Sequence, residues 1–371
     1  MQLKFKTLFT YLFLSVWLIN CSGDDAPIII DDDDDPIEVS PVVYEINADP
    51  HPKLSDYNFF KSPMSDQDPV YGVLPFQPAS QLFTDYAKKE RFVWMPENSS
   101  ASIGQDNEPI NFPVGTILIK SFYYENVIPG NTKKIIETRL MIMKSEGWIF
   151  ANYVWNEEQT EAFLSEDLIF VPISWMHNGV QRDIQYQIPS SSQCFMCHYN
   201  SGANHPLGPK PQNLNFAIQY EDGQMNQLQK LKEFGYISNE VPANINSIVD
   251  YNDASQSLDM RARSYFEINC GHCHKDQGYA EFYPLRLNYT PTPDYQAMGF
   301  CVEPNLGGHP EIPDGVHHVV FPGNHEKSVL YYRMISVDDS FKMPVVGRTI
   351  VHEESVTLIT NWINSFEEDC F

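Results

Sequence analysis

From Val114 onward the apolar residues fall at every second position. The stretches GTILIKSFYY, KIIETRLMIM and WIFANYVW are separated by turn signals at Pro129, Gly130 and Asn131 and at Ser145, Glu146 and Gly147. Alternation broken by short polar turns predicts adjacent antiparallel strands. In the second stretch it assigns Ile135, Glu137, Arg139, Met141 and Met143 to one face and Ile136, Thr138, Leu140 and Ile142 to the other. Aromatic residues spread from Leu54 to Ile188 supply material for the core of an antiparallel β-sandwich or half-barrel. Further on the period changes. Met225, Leu228, Leu231 and Phe234 mark a helix that Gly235 ends. Leu258, Ala262, Tyr265 and Phe266 mark another, with Ser255 or Ser257 able to cap its start. A helical stretch follows over Ser328 to Val337, and Val356, Ile359, Ile363 and Phe366, with Trp362 beside them, mark a closing helix.

The N-terminus follows neither pattern. Lys4 and Lys6 precede an apolar run from Leu8 to Ile19 that is too short to span a bilayer, the arrangement of an export signal. Leu18, Ile19, Asn20 and Cys21 resemble the cleavage box of bacterial lipoproteins, which implies lipidation of Cys21 and a membrane anchor; Asn20 departs from the small residue usual there. Asp24, Asp25 and the run Asp31 to Asp35 repel one another and predict a solvated acidic linker. The Ser22 to Asp25 stretch resembles an acidic surface-export signal of such lipoproteins. Together these features place the chain in the cell envelope, anchored to the outer membrane and facing either the periplasm or the exterior. The expected organisation is a signal and lipidated cysteine over 1–21, the linker over 22–50, a β-rich domain over 51–190, a helical connector over 191–250 and an α-helical domain over 251–371. The formal charge of −25 offers nothing to neutralise phosphates, which excludes nucleic acid as a partner.

Seven cysteines then sort without remainder. Cys21 takes the lipid. Cys194 and Cys197 with His198, and Cys270 and Cys273 with His274, repeat a CxxCH motif. Cys301 and Cys370 remain, and in an oxidising compartment they are expected to form a disulfide. A CxxCH motif can clamp zinc, form a redox disulfide, or carry a covalently attached haem, because its two thiols and imidazole lie along one turn of backbone. Zinc asks for four ligands, which here would have to be recruited from His205 or from the other motif. A redox site needs no histidine. Two copies in an exported chain fit haem best, so two c-type haems are expected, with His198 and His274 as iron ligands. Met343, in the loop FKMPVVG and followed by Pro344, is the expected sixth ligand of the second haem, since a thioether favours ferrous iron. Met298 and Met334 read as core residues.

The segments RSYFEINCGHCH, FPGNHEKSVLYYRM, KMPVVG and LITNWI, in that order, resemble a class I c-type cytochrome domain of roughly the last 120 residues. That resemblance implies an all-α domain, His274 and Met343 as axial ligands, thioether links to Cys270 and Cys273, and electron transfer. His272, His317, His318 and His325 then read as surface or neighbouring residues. Taken whole, from LSDYNFF through LFTDYAKKERFVWMP and QIPSSSQCFMCH, the chain is similar to uncharacterised bacterial di-haem c-type cytochromes. A β domain ending in CxxCH also resembles the c′-beta cytochromes, whose haem is often five-coordinate. For the first haem's outer position the sequence offers Met176, His177, His205 and Met225 without choosing. The expected fold class is α+β multidomain, a β-sandwich or half-barrel followed by an all-α cytochrome c domain. The expected function is single-electron exchange with a redox partner protein. The alternative is a peroxidase-like or small-oxidant reductase whose five-coordinate first haem is fed by the second. A non-redox surface lipoprotein, with the motifs holding zinc or a disulfide, is the third class. No nucleotide loop, nucleophile elbow or metalloprotease helix is present in the sequence.

Overall fold

Eight antiparallel strands form a single sheet in the computed structural model, which describes residues 38–304 and 309–370. In chain order they are β1 (Leu74–Pro75), β2 (Lys88–Trp94), β3 (Ile117–Val127), β4 (Thr132–Lys144), β5 (Gly147–Trp155), β6 (Ala162–Ser165), β7 (Ile169–His177) and β8 (Val180–Ile188). The first six lie side by side in sequence order. The β7–β8 hairpin, turned at Asn178 and Gly179 with both residues at positive φ, joins the sheet where Val127 meets Trp175. The expected lipidation site at Cys21 and the acidic run lie outside the described residues, and Val39–Phe371 forms one compact unit. The C-terminal end of the expected linker lies against the sheet: Val43 N donates to Tyr57 O at 3.0 Å, and Lys144 Nζ donates to Ile46 O at 2.8 Å.

The three central strands are those expected from alternation, and so are the faces of β4 from Glu137 onward, but Ile135 and Ile136 lie on the faces opposite to those expected. A bulge pairs Phe122 with Glu137 and Tyr123 with Ile135, leaving Ile136 as the extra residue. An inserted residue reverses the alternation beyond it. Ile135 therefore packs with Leu140 and Ile142 against Leu54, Tyr57 and Phe59, while Ile136 joins Phe122, Trp175 and Tyr186 on the opposite side. That opposite side is also covered near the strand ends by Leu118, Met141 and Trp148, which pack on Leu214 of α2 (Pro211–Leu214) and on Leu228 and Leu231 of α3 (Gln227–Glu233). Met225 lies in β12 (Gly223–Asn226), paired with β11 (Ala217–Tyr220), and not in the helix.

The fold-class expectation is corrected here. One eight-stranded sheet takes the place of a sandwich, and the C-terminal region is not a sizeable all-α domain: the described residues hold six short α-helices, 18% helix in all. Among the described residues of this region the α-helices are α4 (Leu258–Asn269), α5 (Val329–Ile335) and α6 (Glu353–Asn364), packed around Phe266, Leu330, Ile359, Trp362 and Ile363, with one 3-10 turn at His325–Lys327. Ser257 caps α4, accepting from Met260 N at 3.3 Å. Between Cys273 and Ser328 the chain is rich in proline, glycine, asparagine and aspartate, which favour turns over continued helix. That irregular segment is tied down covalently, because Cys301 is joined to Cys370.

The helical region meets the sheet through polar contacts from the β1–β2 connection. Asp85 accepts from Thr349 N at 2.7 Å, from Thr349 Oγ1 at 2.9 Å and from Ile350 N at 3.1 Å. Beside it His352, only 8% exposed, stacks on Phe83 at 4.1 Å and is ringed by Tyr86, Tyr251 and Tyr265. Its Nδ1 has no hydrogen-bond partner. Burial first, against the pull of Glu354, lowers its pKa to about 4. Between that value and the ordinary histidine range the unfolded chain binds the extra proton and the folded one does not. His352 thus contributes stability that is present near neutral pH and is lost as pH falls from about 6.5 to 4. The shift corresponds to roughly 3 kcal/mol at full protonation of the unfolded state. His352→Phe, which keeps the stack on Phe83, should lose less stability than the wild type between pH 7 and pH 4.5. Urea unfolding at the two pH values measures this, and equal losses in both proteins would show that His352 is not the group responsible.

Candidate functional site

The second motif is wound into one turn. Helix α4 runs into Cys270, after which Cys273 N donates to Cys270 O at 3.1 Å and His274 N to the same oxygen at 3.0 Å. Gly271 is required because the backbone of Asn288 crosses it: a Cβ there would lie 2.8 Å from Asn288 Cα. That crossing strand is fixed by Leu287 N donating to His274 O at 2.8 Å. Burial raises the Cys270 thiol to about 12 and lowers His274 to about 4, so the imidazole is neutral, and its Nδ1 is buried without a partner.

Met343 reaches the same place from far along the chain. Its N donates to Arg333 O at 2.9 Å, and Arg348 Nε and Nη2 donate to its carbonyl at 3.1 and 2.9 Å. The loop is thereby held by backbone contacts that leave the thioether free. Cys270, Cys273, His274 and Met343 all line one cavity of about 480 Å³, closed by apolar side chains including Leu285, Leu287, Val319, Val329 and Leu330. This volume lies within the range of cofactor and ligand pockets.

The first motif is built differently. It forms α1 (Ser191–His198), whose start is fixed by Ser190 N donating to Gln193 Oε1 at 3.1 Å. His198 Nδ1 donates to His205 O at 2.8 Å and its ring lies against Phe150. A backbone carbonyl on Nδ1 is the support that orients a ligating histidine by its other nitrogen. Burial lowers its pKa to about 4. Yet the void beside it, shared with Cys197, His205 and His272, measures only about 20 Å³. Cys194 is buried and Cys197 lines the large cavity of the second motif. Of the residues expected to compete for the first haem's outer position, only His205 borders the void. Met176 and His177 end β7, Met225 lies in β12, and none of the three touches it.

Nothing in the spacing of the two motifs announces that they meet. The hairpin of β9 (Tyr199–Asn200) and β10 (Ala203–Asn204) turns through Ser201 and Gly202, Ser201 N donates to Gln277 O at 3.1 Å, and Asn200 bridges to Gly278. Gly278 is needed there, since a Cβ would stand 2.5 Å from Cys273 O. The outcome is that Cys197, His272 and Cys273 bring their ligand atoms within 4.8 Å of one another. The interaction between the two neighbouring thiols holds Cys197 below its ordinary range and pushes Cys273 up, and Cys273 Sγ donates to Met196 O at 3.3 Å. His272, expected as a surface or neighbouring residue, is 9% exposed, and its Nδ1 has no partner. By contrast His318 packs on Phe321, and His325 pairs with Asn364 at the surface.

Behind α1 the sheet carries a half-buried cationic cluster beside a fully buried carboxylate. Arg139 and Lys120 lie over the Phe122 ring at 4.3 and 4.8 Å. Glu137, 0% exposed, takes Arg139 Nε at 2.7 Å and the Tyr186 hydroxyl at 2.7 Å. Arg139 and Glu137 act electrostatically on Cys194, and Lys120 on His198. No family of known proteins matches the chain, and neither does any curated protein or solved structure. Among the described residues no helix is long and apolar enough to cross a membrane.

Proposed function

We propose that this chain is an envelope-anchored c-type cytochrome that exchanges single electrons with a partner protein, through a haem held at Cys270, Cys273, His274 and Met343. The observation that carries this reading is the meeting of these four residues, from distant parts of the chain, on one apolar cavity of about 480 Å³. The donor set fits the group: two thiols that would form the thioether bonds, and a neutral imidazole and a thioether that would ligate the iron. When bound, the group supplies one-electron redox chemistry. The chain's own work is to exclude water with Leu285, Leu287, Val319 and Leu330, to fix His274 on the turn that ends α4, and to clamp the Met343 loop through Arg348. The first motif does not offer the same fit. Its own void is about 20 Å³, too small for a second haem on Cys194, Cys197 and His198 in the arrangement described. The resemblance to di-haem cytochromes and the export signal support the wider reading.

Protein produced in a host with cytochrome c maturation and analysed by intact mass and pyridine haemochrome should carry haem on the peptide of Cys270 and Cys273. A second haem mass on the peptide of Cys194 and Cys197 would complete the di-haem reading. Colourless protein with four free thiols would sink both.

A further inference from the structure

The contact between the two motifs is itself a site. Cys197 comes from the C-terminal turn of α1, and His272 and Cys273 from the turn after α4, and their ligand atoms lie within 4.8 Å of one another. Two thiol sulfurs and an imidazole are the donors that zinc and other thiophilic ions prefer. Three features beyond proximity point to an ion. The Nδ1 of His272 is buried with no partner, which is costly unless something occupies it. A void of about 20 Å³ borders Cys197, His198 and His272, room for about one water and hence for a fourth, exchangeable ligand. Electrostatics also permit it. The surroundings already hold Lys210 paired with Glu267 at 2.7 Å, and Lys275 lines the void. A divalent ion with two thiolates adds no net charge to this half-buried place.

We propose that the chain without thioether bonds at these positions binds one Zn²⁺ across the two motifs, through Cys197, His272 and Cys273, with water in the fourth position. Binding releases the two thiol protons to solvent, and no electrons change hands. The site does not depend on the cytochrome reading. It does exclude haem attachment at Cys273, because the same sulfur cannot serve as thiolate ligand and thioether. Metal-bound and haem-bearing chains are thus alternative states of one protein.

The full chain, produced without haem attachment and kept reduced, tests this by titration with Co²⁺ as a coloured substitute for Zn²⁺. Thiolate-to-cobalt absorption should saturate at one equivalent and be displaced by Zn²⁺. Cys197→Ser, Cys273→Ser and His272→Ala should each weaken binding by at least about tenfold. Cys194→Ser and Cys270→Ser should leave it unchanged. The last pair is decisive, since an ion held within a single motif, as in an unfolded chain, would need Cys194 or Cys270. Loss of binding in either of those variants, or unchanged binding in Cys197→Ser, overturns the proposal, as does the absence of any cobalt–thiolate band. Alkylation mapped by mass gives an independent reading. Zn²⁺ should protect Cys197 and Cys273 relative to chelator, with no change at Cys194 and Cys270, and protection of the reverse pair would refute the assignment.

Discussion

Met343→Ala in the haem-loaded protein should abolish the far-red sulfur-to-iron absorption band, open the iron to cyanide, and lower the reduction potential by on the order of 0.1 V or more, since axial ligands alone move haem potentials over roughly 0.8 V. The structure makes the substitution specific. What holds the loop is backbone: Met343 N on Arg333 O, and two guanidinium nitrogens of Arg348 on Met343 O. Alanine keeps all of these contacts and removes only the thioether from the cavity wall. Met334 is the matched control, because it packs against the Phe266 and Trp362 cluster and does not line the cavity. Met334→Leu should therefore leave the band and the potential in place. If Met343→Ala retains the wild-type spectrum, the sixth position belongs to another group and the ligand assignment fails. Redox titration with optical detection makes both comparisons in one experiment.

What could be read from the sequence follows the range over which each signal acts. Alternation along GTILIKSFYY and WIFANYVW is local, and the strands are where it places them. The bulge at Ile136 is not local. It arises from how β4 is paired with Phe122 and Tyr123, and no pattern within β4 announces it. The helical stripes at Leu258 and Val356 mark real helices, α4 and α6, but the helical pattern does not extend to a whole domain. Three short helices with the right period can sit in a mostly irregular region, and the proline- and glycine-rich stretch between Cys273 and Ser328 was the signal against it. The two CxxCH motifs were legible as chemistry, because the spacing alone puts thiols and imidazole on one turn. Their mutual contact was not, since it depends on Ser201 meeting Gln277 and on the close approach of Gly278 to Cys273 O. Likewise Glu137 and Arg139 were assigned to one face by alternation, but nothing in the sequence said that this face would be buried.

Arg139→Met should destabilise the protein by about 3–5 kcal/mol, the usual cost of leaving one member of a buried ion pair behind. Glu137 has no exposure, and Arg139 is its charged partner through two hydrogen bonds, the Nε contact at 2.7 Å and a second from Nη2. Burial works against the charge of Arg139, but the carboxylate more than offsets it and raises its pKa. With the guanidinium gone, Glu137 keeps the Tyr186 hydroxyl at 2.7 Å as its hydrogen-bond donor, and Lys120, over the same Phe122 ring, is left as a cation that acts on it only at longer range. The double variant Glu137→Met with Arg139→Met removes both charges and fills the space with apolar volume, so it should recover most of the loss. Urea unfolding of the wild type, both single variants and the double variant measures the coupling directly. A single variant no less stable than an ordinary surface substitution would show that water reaches the pair. The consequence extends to the first motif, since Arg139 and Glu137 act on Cys194 from beneath α1. In Arg139→Met the Cys194 thiol, already raised by burial, loses the cation that lowers its pKa and keeps the carboxylate that raises it, so it should react more slowly with alkylating agents than in the wild type, whereas Cys270, in the other motif, should not change.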